Sequence, residues 1–211
     1  MSDPVNAETA PATAPGGAQK PRNDWALIPN WLSAGRILAA AALPFAFILF
    51  ERQAAEIVAL GLFIAASITD FFDGWLARRL NQTSALGAKL DSLADKALLF
   101  TALGALGVAV FPGALWFWAL ALIIVAREVG VTLLRMRFGR AGALSVTLGA
   151  KWKTVFQMTS AALLLAAGPA ERALGSEIGA VVFWSGAVLL ALAAWLSVTT
   201  GLDYLKRALQ G

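Results

Sequence analysis

The stretch DFFDGWLARRLNQTSALGAKLDSLADK begins at Asp70 and carries four aspartates, Asp70, Asp73, Asp91 and Asp95. On a helix, residues three or four apart share a face, so Asp70 pairs with Asp73 and Asp91 with Asp95. Gly74 and Ala77 accompany the first pair, and Gly87 begins the stripe that continues through Asp91 and Asp95. Facing carboxylates repel, and each charge inside a membrane costs at least about 2.5–3.5 kcal/mol on insertion scales. Two divalent cations would cancel four negative charges and accept a purely oxygen ligand set, which suits Mg2+ or Mn2+. A metal pair of that kind favours in-line displacement at phosphorus, because it stabilises both the attacking and the leaving oxygen. Gly74, Ala77 and Gly87 leave room for a flat polar group, although close helix packing asks for the same small residues. Arg78 is placed to hold phosphate charge; a purely topological role would use the same residue.

Other chemistries are excluded by what is missing. The 211 residues contain no Cys and no His, which removes thiolates, disulfides, imidazole bases and imidazole ligands. Carboxylates, hydroxyls, Lys and Arg must do the work. The formal net charge of +4 does not point to nucleic acid, because most of the cations sit at the ends of apolar runs.

The elements that must carry these residues are membrane helices. Hydrophobic residues make up 59% of the chain and charged residues 14%, and the mean hydropathy is +0.70. A soluble domain has about 45–50% and about 25% respectively. The apolar runs are Leu/Ala-rich and continuous rather than alternating, so helices are expected instead of a barrel. Residues 1–24 are rich in Ala, Pro and Gly and read as a disordered cytoplasmic tail. Six spans follow, roughly 29–50, 54–78, 86–111, 114–137, 152–169 and 178–205, in one all-α bundle over 25–211. A short connection makes the second and third spans antiparallel neighbours whose aspartate stripes face each other. Lys20, Arg22, Arg78, Arg79, Arg135, Arg137, Arg140, Lys151, Lys153, Lys206 and Arg207 fall on one side. Arg52 and Arg172 fall on the other, beside Glu51, Glu56, Glu171 and Glu177. Both termini are therefore expected in the cytoplasm, and a bacterial inner membrane is the expected location.

The pattern D-x2-D-G-x2-A-R-x8-G-x3-D-x3-D, complete from Asp70 to Asp95, resembles the signature of the CDP-alcohol phosphotransferases. That resemblance implies a homodimeric six-span fold and transfer of a phosphatidyl-type group from a CDP-linked lipid to an alcohol, with release of CMP. It further implies that Asp70, Asp73 and Asp91 ligate one metal and that Asp70, Asp91 and Asp95 ligate a second. Asp95 would also be the catalytic base, Gly74, Ala77 and Gly87 would line the cytidine site, and Arg78 would lie near the diphosphate. The opening Ile28-Pro29-Asn30-Trp31-Leu32-Ser33-Ala34-Gly35-Arg36 resembles the I-P-N-x-L-T-x-x-R of bacterial members, with Ser33 in place of Thr. By that likeness Asn30 and Arg36 join the site for the CDP-lipid.

The acceptor is addressed by a second set of residues. Arg127-Glu128-Val129 and Ala150-Lys151-Trp152-Lys153-Thr154 resemble members of the family that use sn-glycerol 3-phosphate. A phosphorylated acceptor needs a cationic pocket. Arg127 lies inside an apolar run, where it should face a polar cavity, with Glu128 as a partner. Arg135, Lys151 and Lys153 would complete the phosphate site, unless they serve only topology. The expected donor is CDP-diacylglycerol, in a setting of membrane lipids. Two other acceptors stay open within the same chemistry, phosphatidylglycerol and inositol phosphate. A cation-coupled transporter would also bury carboxylates, but between repeats near the midplane.

Overall fold

The computed structural model describes residues 28–79, 85–138 and 148–210. The expected tail, residues 1–24, lies outside them. Six helices follow one another: α1 (Ile28–Leu49), α2 (Arg52–Arg79), α3 (Ala85–Ala105), α4 (Leu115–Phe138), α5 (Leu148–Leu174) and α6 (Ser176–Gln210). α3 runs on into a π-helical turn, Leu106–Val110, closed by Phe111 N donating to Leu106 O at 2.8 Å. Among the described residues, five windows are long and apolar enough to cross a membrane: Trp31–Leu49, Arg52–Asp70, Leu90–Val110, Leu115–Leu134 and Ser176–Leu202. Large apolar side chains such as Leu38, Ile48, Leu115 and Leu122 are exposed on the outside of the bundle. A surface of that kind is at home in lipid, and the chain is a multi-pass membrane protein.

The fifth expected span is more polar than the rest for a reason visible in its packing. Lys153, Gln157 and Ser160 are all buried, and they share a stripe with the buried Ala161 and Leu164. The polar residues of α5 thus face protein while the helix packs along α6. Gln157 Nε2 donates to Ser197 Oγ at 3.3 Å across that seam. α5 and α6 are joined at Gly175, whose φ of 99° is a conformation that side-chain-bearing residues avoid.

α1 is the centre of the other half. It packs along both α2 and α3, whereas α2 and α3 touch each other only sparsely. The aspartate stripes of the second and third spans do meet, as expected, at Asp70, Asp91 and Asp95, while along the rest of their length the two helices pack on α1 rather than on each other. Its buried stripe, Ser33, Arg36, Ala40, Leu43 and Ala46, is narrow enough to be flanked on both sides. On α2 the buried line Ala59, Phe63, Ala66 continues in register to Asp70. On α3 Leu106, Ala102 and Leu98 lead back to Asp95 and Asp91 at the same spacing. Three apolar stripes therefore end, at one end of the bundle, in one arginine and three aspartates.

The opposite end is fastened by a buried carboxylate. Glu56 on α2, 3% exposed, accepts from Arg172 Nη2 at 2.6 Å and from Arg52 Nε at 3.1 Å. Gly168 lies so close to this carboxylate that a Cβ there would collide with it.

Candidate active site

The carboxylates of Asp70, Asp91 and Asp95 converge, with one oxygen from each lying within 4.8 Å of the others. Arg36 Nη1 sits among them, 2.6 Å from Asp70 Oδ1, 2.8 Å from Asp95 Oδ1 and 3.1 Å from Asp91 Oδ1. The guanidinium is fully buried, while the three aspartate side chains are 43%, 35% and 47% exposed. The cluster is therefore closed below by α1 and open above, with oxygens available to a ligand that arrives from that side. An all-carboxylate donor set of this size fits a hard divalent cation, and a cationic nitrogen already stands at its centre. Gly87 lies one helical turn before Asp91 and is partly buried.

A second polar cluster lies where α3, α4, α5 and α6 come together. Glu128, buried on α4, accepts from Arg127 Nη1 at 3.1 Å and from the buried Lys153 of α5. Arg127 Nη2 also donates to Thr200 Oγ1 of α6 at 3.0 Å. Its Nε is buried without a hydrogen-bond partner among the described residues. Lys96 of α3 donates to Thr132 Oγ1 at 2.8 Å, and that hydroxyl donates in turn to the Glu128 carbonyl at 2.7 Å. Three cations and one anion leave two positive charges, in a region where the surrounding packing limits screening by water. Gly201 packs against the Arg127 side chain, where a Cβ would approach its Cγ to 3.2 Å.

Arg36, Asp70, Asp91 and Asp95 thus form one site, and Arg127 and Lys153 a second that shares Glu128. Asp73, Gly74, Ala77 and Arg78 fall in the last turns of α2, Arg135 in the last turn of α4 and Lys151 in the first turn of α5. The side chains of these six residues, and that of Asn30 in the first turn of α1, lie outside the described set. Lys96 and Thr200 escaped the sequence reading. Lys96 had a signal, since a cation inside an apolar run calls for a partner or a polar cavity. Thr200 had none, because its role depends on how α6 meets α4.

A family model described as CDP-alcohol phosphatidyltransferase matches residues 26–198. The chain is 37% identical over 212 residues to a CDP-diacylglycerol–glycerol-3-phosphate 3-phosphatidyltransferase of Cereibacter sphaeroides, covering 86% of this chain and 95% of that one. A protein of the same name from Rickettsia felis is 34% identical over 187 residues, covering 85% and 93% respectively. A probable phosphatidylglycerophosphate synthase of Mycobacterium tuberculosis is 36% identical over 162 residues, covering 76% of this chain and 70% of that one.

Proposed function

Because the chain belongs to the CDP-alcohol phosphatidyltransferase family, we propose that it transfers the phosphatidyl group of CDP-diacylglycerol to sn-glycerol 3-phosphate, giving phosphatidylglycerophosphate and CMP. The observation that supports a phosphorylated acceptor is the charge of the second cluster. Lys96, Arg127 and Lys153 against Glu128 leave two positive charges, and a phosphate monoester brings about −1.5 to −2 at neutral pH. Phosphatidylglycerol, a diester, would bring a single negative charge. Inositol phosphate matches the charge equally well, and what favours glycerol 3-phosphate over it is the relatives' names.

In this reading Asp70, Asp73, Asp91 and Asp95 hold two divalent cations, Mg2+ or Mn2+. When bound, the cations supply positive charge opposite the attacking and leaving oxygens. Arg78, Arg36 and Asn30 bind the phosphates of the CDP-lipid, and Gly74, Ala77 and Gly87 admit the cytidine against the helix backbones. The acceptor phosphate is held by Arg127, Lys153, Arg135 and Lys151, together with Lys96. That anchor turns the free primary hydroxyl toward Asp95, whose carboxylate accepts its proton. The hydroxyl oxygen bonds to the phosphatidyl phosphorus as the bond from that phosphorus to CMP breaks. Anchoring both substrates accounts for rate by holding the reacting atoms in line.

The aspartate end of the bundle lies at the cytoplasmic face of a bacterial inner membrane, with both termini in the cytoplasm; the distribution of Lys and Arg supports this orientation. Homodimerisation belongs to the same reading and rests on the family resemblance. The test is CMP release by the purified protein given CDP-diacylglycerol with glycerol 3-phosphate, inositol phosphate, phosphatidylglycerol or glycerol. Glycerol 3-phosphate is expected to give the highest kcat/KM, and a clear preference for any of the others overturns the acceptor assignment.

A further inference from the structure

A single nitrogen, Arg36 Nη1, contacts three carboxylates at 2.6, 2.8 and 3.1 Å. A divalent cation bound through those same Oδ1 atoms, with a metal–oxygen bond of about 2.0–2.1 Å for Mg2+, would leave no room for a guanidinium at the same point. Arg36 Nη1 and a cation held through those three Oδ1 atoms would therefore compete for one position. Three carboxylates and one guanidinium sum to −2, so the ring keeps its attraction for a divalent ion while the guanidinium fills its centre. Arg36 also lies on the stripe of α1 that wedges between α2 and α3, so its charge holds the two aspartate-bearing helices together.

We propose that Arg36 is a built-in competitor for the cation site, which exchanges places with a divalent ion and, once displaced, pairs with the phosphates of the CDP-linked donor. The inference rests on the aspartates being the metal site. It adds a coupling: the donor offers the displaced guanidinium a new anionic partner, so donor and metal tighten each other's binding. By linkage the effect is the same in both directions. Exchange also explains why an arginine rather than an apolar residue stands on a buried stripe. It keeps the carboxylates compensated when no metal is there, because three converging carboxylates without a counter-charge repel one another.

The experiment measures Mn2+ binding to the full chain in detergent by electron paramagnetic resonance, without acceptor, with and without CDP-diacylglycerol. The Arg36→Gln variant is expected to bind Mn2+ at least about tenfold more tightly than the parent. Its melting temperature in EDTA should fall below the parent's. CDP-diacylglycerol should tighten Mn2+ binding in the parent and do so much less in Arg36→Gln. If Arg36 only fastens α1 to its neighbours, Arg36→Gln leaves Mn2+ affinity unchanged or weaker, and the proposal is overturned. Should Arg36→Gln not stay folded, Arg36→Lys carries the comparison, because the shorter side chain withdraws charge from the centre. Its Mn2+ affinity must exceed the parent's, and an equal or weaker value overturns the exchange. Absence of any Mn2+ binding by the parent would remove the metal site and this inference with it; a parent that binds Mn2+ with no gain in the variants removes the inference alone.

Discussion

Lys153→Met separates the acceptor cluster from the donor site more cleanly than other substitutions. Lys153 is 6% exposed, so Ala would add a cavity to the loss of charge, whereas Met keeps most of the buried volume. The cluster then falls from two net positive charges to one. Glu128 does not become an orphan, because Arg127 Nη1 still donates to it at 3.1 Å. The cost to folding is therefore held to about 1–3 kcal/mol, the range for one lost buried hydrogen bond, instead of the larger penalty of an unpaired buried charge. For the acceptor, one charge-assisted contact is removed, worth about 1.5–3 kcal/mol. At 1.4 kcal/mol per factor of ten, KM for glycerol 3-phosphate should rise roughly 10- to 150-fold. KM for CDP-diacylglycerol should stay near the parental value, since other residues hold that substrate. The assay is CMP release with each substrate varied in turn, on protein shown to be monodisperse by size exclusion. A folded Lys153→Met enzyme with the parental KM for glycerol 3-phosphate would refute the pocket, whatever its kcat.

Asp95→Asn removes the proton acceptor while keeping size and one ligand oxygen, so turnover should drop at least about a hundredfold with the fold intact; near-parental turnover by CMP release would dismiss Asp95 as the base. Dialysis against EDTA should abolish activity, and Mg2+ or Mn2+ should restore it; full activity in the chelated protein contradicts a metal-dependent reaction. At the far end of the bundle, Gly168→Ala forces a methyl group against the Glu56 carboxylate and should lower the melting temperature. Combined with Glu56→Ala the penalty should shrink, because the colliding group is gone. Additive losses in that double-mutant cycle would show that the two residues are not in contact.

The meeting of Asp70, Asp91 and Asp95 was legible because membrane helices make charges conspicuous and the spacing of three and four assigns them to faces. Arg127 with Glu128 was legible for the same reason. Arg36 was placed with the CDP-lipid by its resemblance to an opening motif; its seat among the carboxylates depends on α1 wedging between α2 and α3. A short connection between α2 and α3 suggests that they pack along each other; the narrow buried stripe of α1 lets it pack along both, while Asp70 still meets Asp91 and Asp95. Residues far apart in sequence were the hardest to join. Lys153 reaches Glu128 across α4 and α5, and Arg127 reaches Thr200 across α4 and α6, and no periodicity within one helix encodes such meetings. The polarity of α5 is explained by its buried Gln157 and Ser160, which pure hydropathy counts against membrane insertion although they face protein.

The central claim is that one carboxylate site joins the phosphatidyl group of a CDP-lipid to glycerol 3-phosphate. The most direct measurement incubates the purified chain with CDP-diacylglycerol and deuterium-labelled glycerol 3-phosphate in Mg2+, then follows both products by mass spectrometry. The account predicts CMP and labelled phosphatidylglycerophosphate in equal amounts, with neither formed by an Asp91→Asn protein that binds the nucleotide. CMP released without a labelled lipid, or a labelled lipid formed at the parental rate by Asp91→Asn, would contradict it.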